Sequence, residues 1–218
     1  MMSDADLKAL AGQLRQPHGT MGAEVADMMH ATNIGMTIHA IDRLSVAAND
    51  LILELGHGSG KHLPYLLQQK EGLTYYGLEI SGDMNRLAAA VNKTLAEQGK
   101  AVFQLYDGLH LPFEDLYFDR IFTVNTVYFW EEPGLLLAEL HRVLKPGGRL
   151  NITFAQEHFM QMLPFTKYGF TLYDDEKMEQ LIKESPFRLA DTASQAEEIE
   201  SKTGDRVRRA FTTVSLEK

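Results

Sequence analysis

Short apolar segments alternate with segments of helical periodicity through most of the chain. Residues 51–55, LILEL, form a short apolar run before a glycine-rich stretch, as expected of a strand buried on both faces of a parallel sheet, and HLPYLLQQ after the glycines has a helical pattern. The same alternation predicts strands in TYYGLEI, AVFQLY, FDRIFTVNT and RLNITF, and helices in DMNRLAAAVNKTLAEQ, PGLLLAELHRVL and DEKMEQLIKES. Repeated strand–helix units predict an α/β fold with a parallel sheet and helices on both faces.

The two ends of the chain depart from this alternation. A proline and two glycines within residues 17–22 interrupt any long helix, whereas residues 23–44 carry apolar side chains at mixed helical spacings, which predicts helices with one buried face. Near the C-terminus, FRLADTAS and RVRRAFTTVSLE are strand candidates with a short separation, which favours an antiparallel pair at the sheet edge. We therefore predict a single domain, 1–218, made of an N-terminal helical cover at 1–45, a ligand-binding core at 46–155, and a further ligand-side segment with the C-terminal strands at 156–218.

The composition is that of an ordinary globular protein. The chain has 218 residues, 44% of them hydrophobic and 23% charged, which suits one folded α/β domain. The N-terminus has no basic region followed by an apolar core, and no apolar run approaches the ~18 residues of a membrane span, so a cytoplasmic protein without such a span is expected. Because the chain has no cysteine, it cannot form a disulfide, a thiolate metal site or a cysteine nucleophile.

Charge and histidine content narrow the range of partners. The net charge of −9 argues against a nucleic-acid partner, because phosphate contacts depend on Lys and Arg. The basic cluster at residues 206–209 is interpreted as a solvated strand face. None of the 8 histidines belongs to an H-E-x-x-H motif or another short ligand pair with a carboxylate, so no metal site is expected.

The glycines after the first predicted strand occupy alternate positions within residues 56–60. A P-loop requires G-x-x-x-x-G-K-[ST], but Leu55 stands at its first glycine position, and His62 stands where Ser or Thr is needed. The dinucleotide motif G-x-G-x-x-G requires its third glycine one residue later than Gly60, so a nicotinamide-dependent oxidoreductase is a weaker alternative that stays open. What remains is E-x-G-x-G-x-G, which begins at Glu54.

Polar side chains follow each of the next three predicted strands. Glu79 ends the second strand, at the distance from the glycines where such folds place a carboxylate that accepts hydrogen bonds from ribose hydroxyls. Asp107 follows the third strand and can accept from an adenine amine, and Asn125 follows the fourth. Because ligands of open α/β sheets bind outside the carboxyl ends of the strands, we expect these side chains to surround one site.

These features together resemble the class I S-adenosylmethionine (SAM) dependent methyltransferases over about residues 45–155. The shared motifs are LELGxGxG, D…LPF…FD and LxRVLKPGG, and the resemblance is nearest to the ubiquinone/menaquinone-biosynthesis-type and small-molecule methyltransferase group. It implies a Rossmann-like, doubly wound, seven-stranded and mostly parallel sheet with an antiparallel edge strand, helices on both faces and an N-terminal helical cover. It also implies S-adenosyl-L-methionine as the cofactor and S-adenosyl-L-homocysteine (SAH) as the product.

The resemblance assigns cofactor-binding roles to the glycine loop and the strand ends. The residues concerned are Glu54, Gly56, Gly58, Gly60, Glu79, Asp107, Gly108 and Asn125, to which we add the loop neighbours His57 and Ile80. Glu79 is expected at the ribose, Asp107 at the adenine, and Glu54 either at the ligand or holding the loop amides. His57 is expected on the solvent side of the loop. The segment NTVY lacks the prolines of the [DN]-P-P-[YF] motif of nucleobase amino-methyltransferases, which speaks against a clamp for an exocyclic amine.

The methyl acceptor is left open by these motifs. Tyr128, His30 and His158 are the candidates for a base or an acceptor contact. We expect the residues before the first strand and the segment AQEHFMQMLPFTKYGFTLY to form an apolar cover, which suits a small, partly hydrophobic or aromatic acceptor. The alternative for these residues is that they cap the sheet or form a homodimer contact. Alternatives for the function are methyl transfer to RNA or protein and a non-catalytic SAM-binding subunit.

Overall fold

The computed structural model describes residues 2–200 and 206–218, which form a seven-stranded sheet with helices packed on both faces. The strands are β1 Leu51–Leu55, β2 Thr74–Glu79, β3 Ala101–Leu105, β4 Phe118–Val124, β5 Leu144–Ala155, β6 Arg188–Glu200 and β7 Arg206–Glu217. The helices are α1 Asp4–Arg15, α2 Gly19–Asp42, α3 Leu63–Leu67, α4 Gly82–Val91, α5 Lys93–Glu97, α6 Pro133–Val143, α7 Glu157–Met160 and α8 Asp175–Lys183. Short 3-10 turns occupy Val127–Phe129 and Pro164–Lys167. Within the described ranges, no helix has both the length and the apolar character needed to cross a bilayer.

The order of the strands across the sheet is β3-β2-β1-β4-β5-β7-β6. Strands β1 to β5 run parallel to their neighbours among themselves, whereas β7 runs antiparallel to both β5 and β6. The chain moves outward from β1 to β3 and then returns to β4 beside β1, so the sheet is doubly wound. The predicted Rossmann-like fold is therefore confirmed, and its antiparallel strand β7 lies second from the edge.

Alternate side chains of strand β1 enter two cores, one on each face of the sheet. On β1, Leu53 lies in the core that includes α6, and Ile52 lies in the core that includes α2 and α3. Both side chains are fully buried. Burial of one such side chain contributes about 1.5–3 kcal/mol, which explains why a strand covered on both faces is apolar at successive positions.

The N-terminal helices begin earlier than the sequence pattern predicts. In α1, the Ser3 side chain accepts a hydrogen bond from the Asp6 N–H at 3.2 Å and caps the helix. Pro17 separates α1 from α2 as predicted, but α2 starts at Gly19 and includes Gly22. A Cβ atom at Gly22 would lie 3.1 Å from the Pro17 carbonyl carbon, so the glycine lets the connection fold back against α2.

Two other predicted elements are divided or merged. The helix predicted at residues 83–98 is broken at Asn92, whose amide donates to the carbonyls of Ala88 at 3.0 Å and Gly60 at 3.1 Å. The strand predicted in RLNITF begins earlier, because the preceding segment KPGG at residues 145–148 is also part of β5, where the pairing with β4 is irregular. The break at Asn92 thus couples the end of α4 to the glycine loop.

The ribbon of β6 and β7 continues past the end of β5. β5 pairs with β7 as far as Phe211, and residues 206–210 stay paired with β6 beyond that point. Arg206 and Arg208 are exposed, as expected of the basic cluster, but Arg209 is only 4% exposed. The interpretation of the cluster as a solvated face is therefore wrong for Arg209, because successive side chains of a strand point to opposite faces.

The segments before β1 and after β5 meet above the carboxyl ends of the strands. Helix α1 packs on the turn Pro164–Lys167, where Lys167 pairs with Asp4 at 3.0 Å on the surface. The Gln16 amide donates to the Ile80 carbonyl at 2.9 Å. Since an exposed ion pair contributes only about 0–1 kcal/mol, apolar packing is the main force that holds α1 in place.

The core beside α6 can be tested with a pair of leucines on one helix. Leu137 is fully buried, whereas Leu135 is 57% exposed. We expect Leu137→Ala to lower the free energy of unfolding by about 2–5 kcal/mol because it leaves a cavity, and Leu135→Ala to change it by less than about 0.5 kcal/mol. Urea unfolding followed by circular dichroism measures both values. Equal losses in the two variants would contradict this placement of the core.

Candidate functional site

A cavity of about 490 Å³ lies at the carboxyl ends of the parallel strands. Its walls include Gly56, Glu79, Asn125 and Ala155, which lie at or directly after the ends of β1, β2, β4 and β5. Further wall residues come from α1, α2, the turn Pro164–Lys167 and the β6–β7 ribbon. The volume falls within the range of about 300–1,000 Å³ that is usual for small-molecule sites. The fold therefore gathers residues from distant parts of the chain around one partly open pocket.

Three glycines shape the turn between β1 and α3. Gly56, Gly58 and Gly60 have φ angles of 72°, 55° and 63°, in the left-handed region that favours glycine. A Cβ at Gly56 would collide with Thr126, and one at Gly60 would lie 2.9 Å from the Asn92 amide nitrogen. A Cβ at Gly58 would meet no described atom within 4 Å. Gly58 therefore presents bare backbone to the cavity that it lines.

The Glu79 carboxylate binds backbone amides from two loops. One oxygen accepts from the N–H groups of Ile80 at 2.8 Å and Ser81 at 3.0 Å, and the other accepts from the Gly58 N–H at 3.1 Å. The side chain is 5% exposed and lines the cavity, as does Ile80. Since a carboxylate offers about four lone-pair sites, Glu79 retains capacity for a ligand hydroxyl while it ties the glycine loop to the end of β2.

Glu54 belongs to a buried hydrogen-bond network next to the glycine loop. Its Oε2 accepts from the Tyr75 hydroxyl at 2.5 Å and lies 2.8 Å from His62 Nε2. All three side chains are buried. Burial, followed by the charge of Glu54, raises the pKa of Tyr75 well above its ordinary value, so Tyr75 remains a donor. Glu54 thus bonds to two side chains, and its hydrogen bonds in the described part of the chain include none from the loop amides that it was expected to hold. It also lines the cavity, and its contact with the ligand stays a prediction.

His57 is buried, so its expected position on the solvent side of the loop is wrong. The side chain is 4% exposed, and its ring packs edge-on against Phe103 with centroids 5.2 Å apart. A Cβ at Gly77 would lie 2.6 Å from His57 Cδ2, so the glycine in β2 makes the space for this ring. The loop motif alone does not reveal this contact, because Gly77 lies on the neighbouring strand.

The carboxylate of Asp107 is turned toward its own loop. It accepts from the N–H groups of Leu109 at 2.9 Å and His110 at 2.7 Å, and its other oxygen lies 2.6 Å from His110 Nδ1. The bond from the His110 side chain is the largest of the causes that lower the pKa of Asp107 to about 2. Gly108 lines the cavity and Asp107 does not. The structure therefore does not bring Asp107 to the cavity wall, and its contact with the adenine stays a prediction.

Tyr128 is engaged in hydrogen bonds at the cavity wall. Its hydroxyl donates to Asn125 Oδ1 at 2.9 Å and accepts from the Ala155 N–H at 2.6 Å. Burial raises the pKa of Tyr128 above its ordinary value. A phenol that already gives its proton to Asn125, and whose pKa is raised, is poorly suited to accept a proton near neutral pH. The structure therefore favours a role for Tyr128 in positioning Asn125, which has a φ angle of 59°.

The two histidine candidates lie in different surroundings. His30 is on α2, is half-buried and lines the cavity. His158 is on α7, is exposed and does not line the cavity. The structure thus brings His30 to the site and leaves His158 outside it.

Several wall residues were not identified from the sequence. They are Leu7, Leu10 and Leu14 of α1 and Ile199, Val207 and Arg209 of the ribbon. The leucines follow a helical spacing that could have indicated a buried face. Arg209 donates to Asn33 Oδ1 at 2.8 Å and pairs with Glu197, contacts across the fold that no local pattern announces. No group of three His, Asp or Glu side chains in the described part of the chain is arranged to hold a metal ion.

Residues 53–152 match a protein family described as a methyltransferase domain. These residues make up slightly less than half of the chain, and their match agrees with the resemblance to the class I SAM-dependent methyltransferases that the sequence motifs indicate. The chain is similar to the methyltransferase GfsG of Streptomyces halstedii, with 35% identity over 119 residues, 54% of this chain and 42% of GfsG. It is also similar to an O-methyltransferase of Pyrenophora dematioidea, with 25% identity over 167 residues, 71% of this chain and 60% of that protein. The chain thus spans about half the length of these curated relatives.

Solved structures agree with this methyltransferase domain. A chain in the complex between the Haloferax volcanii Trm112 methyltransferase activator and a methyltransferase matches with a TM-score of 0.73 and 21% identity, over 89% of this chain and 94% of that one. At this identity the likeness shows the fold alone. The family match includes β1 and most of β5 and excludes α1, α2 and the ribbon. The methyltransferase match favours a SAM-dependent methyltransferase over a nicotinamide-dependent oxidoreductase.

The structural role of Tyr128 can be tested by removing its hydroxyl. We expect Tyr128→Phe to lower the free energy of unfolding by about 1–3 kcal/mol, because Asn125 and the Ala155 N–H lose a partner in a buried place. Tyr65, whose hydroxyl bonds Asp42 at the surface at 2.5 Å, provides the control. Tyr65→Phe is expected to change the same quantity by less than about 0.5 kcal/mol. Thermal and urea unfolding measure both, and a Tyr128→Phe variant as stable as the parent would refute this role.

Proposed function

We propose that this protein transfers the methyl group of SAM to a small, partly hydrophobic or aromatic acceptor by in-line displacement. The observation that carries the proposal is the cavity, because its walls include both the glycine loop of the methyltransferase domain and a set of aromatic and aliphatic side chains. A cofactor and an acceptor that bind side by side in this pocket can meet without intervening water.

The glycine side of the cavity fits SAM. Side chains at Gly56 and Gly60 would fill the space that the turn needs, so the loop backbone remains accessible to the polar end of the cofactor. The unfilled acceptor capacity of Glu79 suits the ribose hydroxyls. Ile80 and Gly108 border the same region of the cavity wall and suit the apolar faces of the adenosine.

The opposite walls fit an apolar or planar acceptor. Phe129, Phe165 and Phe170 form an aromatic cluster, with ring centroids 4.6 Å apart for Phe129 and Phe170 and 5.8 Å apart for Phe165 and Phe170. Met160 and Leu163 extend this wall. Small-molecule sites are lined mainly by such side chains with few polar groups. The O-methyltransferase among the relatives agrees with this class of acceptor.

The reaction demands mainly alignment from the protein. Bound SAM supplies a methyl group that its sulfonium already activates. The walls of the cavity hold the acceptor atom in line with the carbon–sulfur bond, and such alignment can contribute up to about 7–11 kcal/mol to lowering the barrier. The cover formed by α1 and the turn Pro164–Lys167 keeps water away from this region.

A second candidate is a methyltransferase that acts only with an activator subunit. One matched structure is a complex with the Trm112 methyltransferase activator, which supports this candidate. Here SAM would bind to the purified chain, but methyl transfer to RNA, protein or a small molecule would appear only after a partner is added. The cytoplasmic location and the homodimer contact stay predictions.

Ligand identification tests the proposed function. We expect SAM or SAH among the small molecules released from the purified protein and detected by mass spectrometry. A screen with labelled SAM is then expected to place the label in small, apolar acceptors. Release of a nicotinamide nucleotide without SAM or SAH would contradict the cofactor, and label found only in RNA or protein would contradict the acceptor class.

The ribose role of Glu79 can be tested with an isosteric substitution. Glu79→Gln places an amide donor near the Gly58 N–H or the ribose hydroxyls and removes the negative charge. We expect SAM affinity to fall by about 10- to 100-fold, because a hydrogen bond to a charged group contributes about 1.5–3 kcal/mol. Isothermal calorimetry measures this affinity, with the exposed Glu114→Gln as the matched control. Unchanged SAM binding by a folded Glu79→Gln variant would disprove the assigned role.

A further inference from the structure

The polar side chains that α2 and the ribbon contribute to the cavity wall are almost all bound to other protein groups. The side-chain oxygen Oδ1 of Asn33 accepts a hydrogen bond from Arg209 at 2.8 Å. The Thr32 hydroxyl donates to the backbone carbonyl of Met28 at 2.9 Å, and the Thr37 hydroxyl donates to the backbone carbonyl of Asn33 at 3.2 Å. These groups are therefore committed to the protein and offer little to an acceptor.

The polar groups at the strand ends are committed as well. Glu54 and Glu79 are held by the contacts described above, and Asn125 and Tyr128 bond to each other. The Thr126 hydroxyl accepts from the indole of the single tryptophan at 3.2 Å. When a buried polar group exchanges its protein partner for a ligand, the former partner is left unsatisfied, which costs free energy. None of these groups is thus a ready proton acceptor.

Five further polar residues line the cavity. One of them is Tyr106, whose pKa is raised above its ordinary value by burial, so its hydroxyl keeps its proton near neutral pH and cannot serve as a base. Arg15 and His62 are each paired with a carboxylate. His57 and Ser59 belong to the glycine loop, and they are therefore on the side assigned to the cofactor. Apart from Tyr106, His30 is the polar wall residue that is neither bound to a described group nor part of the glycine loop, and its imidazole, unlike the phenol of Tyr106, can accept a proton.

His30 has the surroundings of a neutral imidazole. It is half-buried on α2, and it makes no hydrogen bond to any residue that the structure describes. The charged and titratable groups that act on it are His62 and Lys61, in the segment that links the glycine loop to α3, and Asp27 on its own helix. Lys61 is itself paired with Asp27 at 2.7 Å. These interactions place His30 close to the cofactor loop, while Asn33, one turn further along α2, reaches the ribbon.

We propose that His30 is the general base for an acceptor of the phenol class, whose ring lies against Phe129, Phe165 and Phe170 and whose hydroxyl faces the imidazole. This inference rests on the proposed methyltransferase function and deepens it. A base within reach of an acceptor hydroxyl, in a cavity otherwise walled by apolar and committed polar groups, is what methylation of a weakly acidic oxygen requires.

The proposed methyl transfer forms one carbon–oxygen bond and breaks one carbon–sulfur bond. A lone pair of the phenolic oxygen forms a bond to the methyl carbon, and the carbon–sulfur bond breaks with its electron pair passing to sulfur, which yields SAH and the methyl ether. The hydroxyl proton passes to the free ring nitrogen of His30, which afterwards releases it to solvent. No oxidant, reductant or further reactant is needed.

The charge state of His30 agrees with this role. Burial is the largest cause that lowers the pKa of His30 below its ordinary value, and the positive charges of His62 and Lys61 act in the same direction, whereas Asp27 opposes them. The imidazole is therefore neutral, and able to accept a proton, at neutral pH. Activity is expected to be lost as pH falls through this lowered pKa, so the acidic limb of kcat/KM should have its midpoint below about 6.5.

The test compares two phenols and two histidine variants. 2-Naphthol keeps its proton at about pH 8, whereas 4-nitrophenol is largely ionised there and needs no base. We expect His30→Gln to reduce kcat/KM for 2-naphthol by about 10²- to 10⁴-fold, to reduce it for 4-nitrophenol by less than about tenfold, and to abolish the acidic limb with 2-naphthol. His158→Gln, which changes an exposed histidine outside the cavity, is expected to behave as the parent protein. Labelled SAM measures transfer, and calorimetry with SAH verifies that each variant keeps its cofactor site.

Nuclear magnetic resonance of the parent protein provides a second measurement that does not depend on any variant. In the SAH complex, the His30 ring signals are expected to titrate below about pH 6.5 and to shift when 2-naphthol is added. Equal losses with both phenols in His30→Gln, or unchanged activity, would overturn the role as a base. A parent protein that binds SAH but neither binds nor methylates either phenol would overturn the acceptor class alone, and a parent protein that binds neither SAM nor SAH would overturn the proposed function itself.

Discussion

The left-handed turn at Gly56, Gly58 and Gly60 is the constraint on which the rest of the site depends. The chain leaves a strand that is buried on both faces and must reverse direction within a few residues to reach α3. Side chains at two of these glycines would collide with Thr126 or Asn92, so the neighbouring loops could not keep their positions. The same requirement leaves backbone, rather than side chains, at the cavity wall.

The two buried carboxylates that line the cavity each have several hydrogen-bond partners. Glu54 is held by Tyr75 and His62, and Glu79 is held by backbone N–H groups, so neither carboxylate lies uncompensated in the interior. Breaking such an arrangement is costly, which keeps the cofactor side of the cavity rigid. The cover, in contrast, uses exposed ion pairs that contribute little and depends on apolar packing.

The two sides of the cavity have different origins in the chain. The glycine loop, Glu79 and Asn125 lie within the residues that match the methyltransferase family, whereas α1, α2 and the ribbon lie outside them. A shared cofactor explains the first group, since all members must bind the same molecule. The second group can differ among relatives without loss of cofactor binding, and in this protein it supplies His30 and the leucines of α1. In the proposed function, most of the wall that would contact the acceptor therefore comes from parts that the family match leaves out.

Local patterns were sufficient for most of the elements and for placing the glycine loop, Glu79 and Asn125 at the ends of strands, where they line the cavity. The apolar run at residues 51–55 and the glycines after it predict a buried strand and a tight turn, because periodicity and φ preference are local properties. Only the tertiary structure decided how the side chains are used. It turned His57 inward against Phe103, directed Asp107 to His110, committed the Tyr128 hydroxyl to Asn125, and left His30 beside the cavity while His158 is exposed. These outcomes depend on contacts between residues far apart in the chain or on competition among nearby partners, and such contacts have no period that a sequence can display.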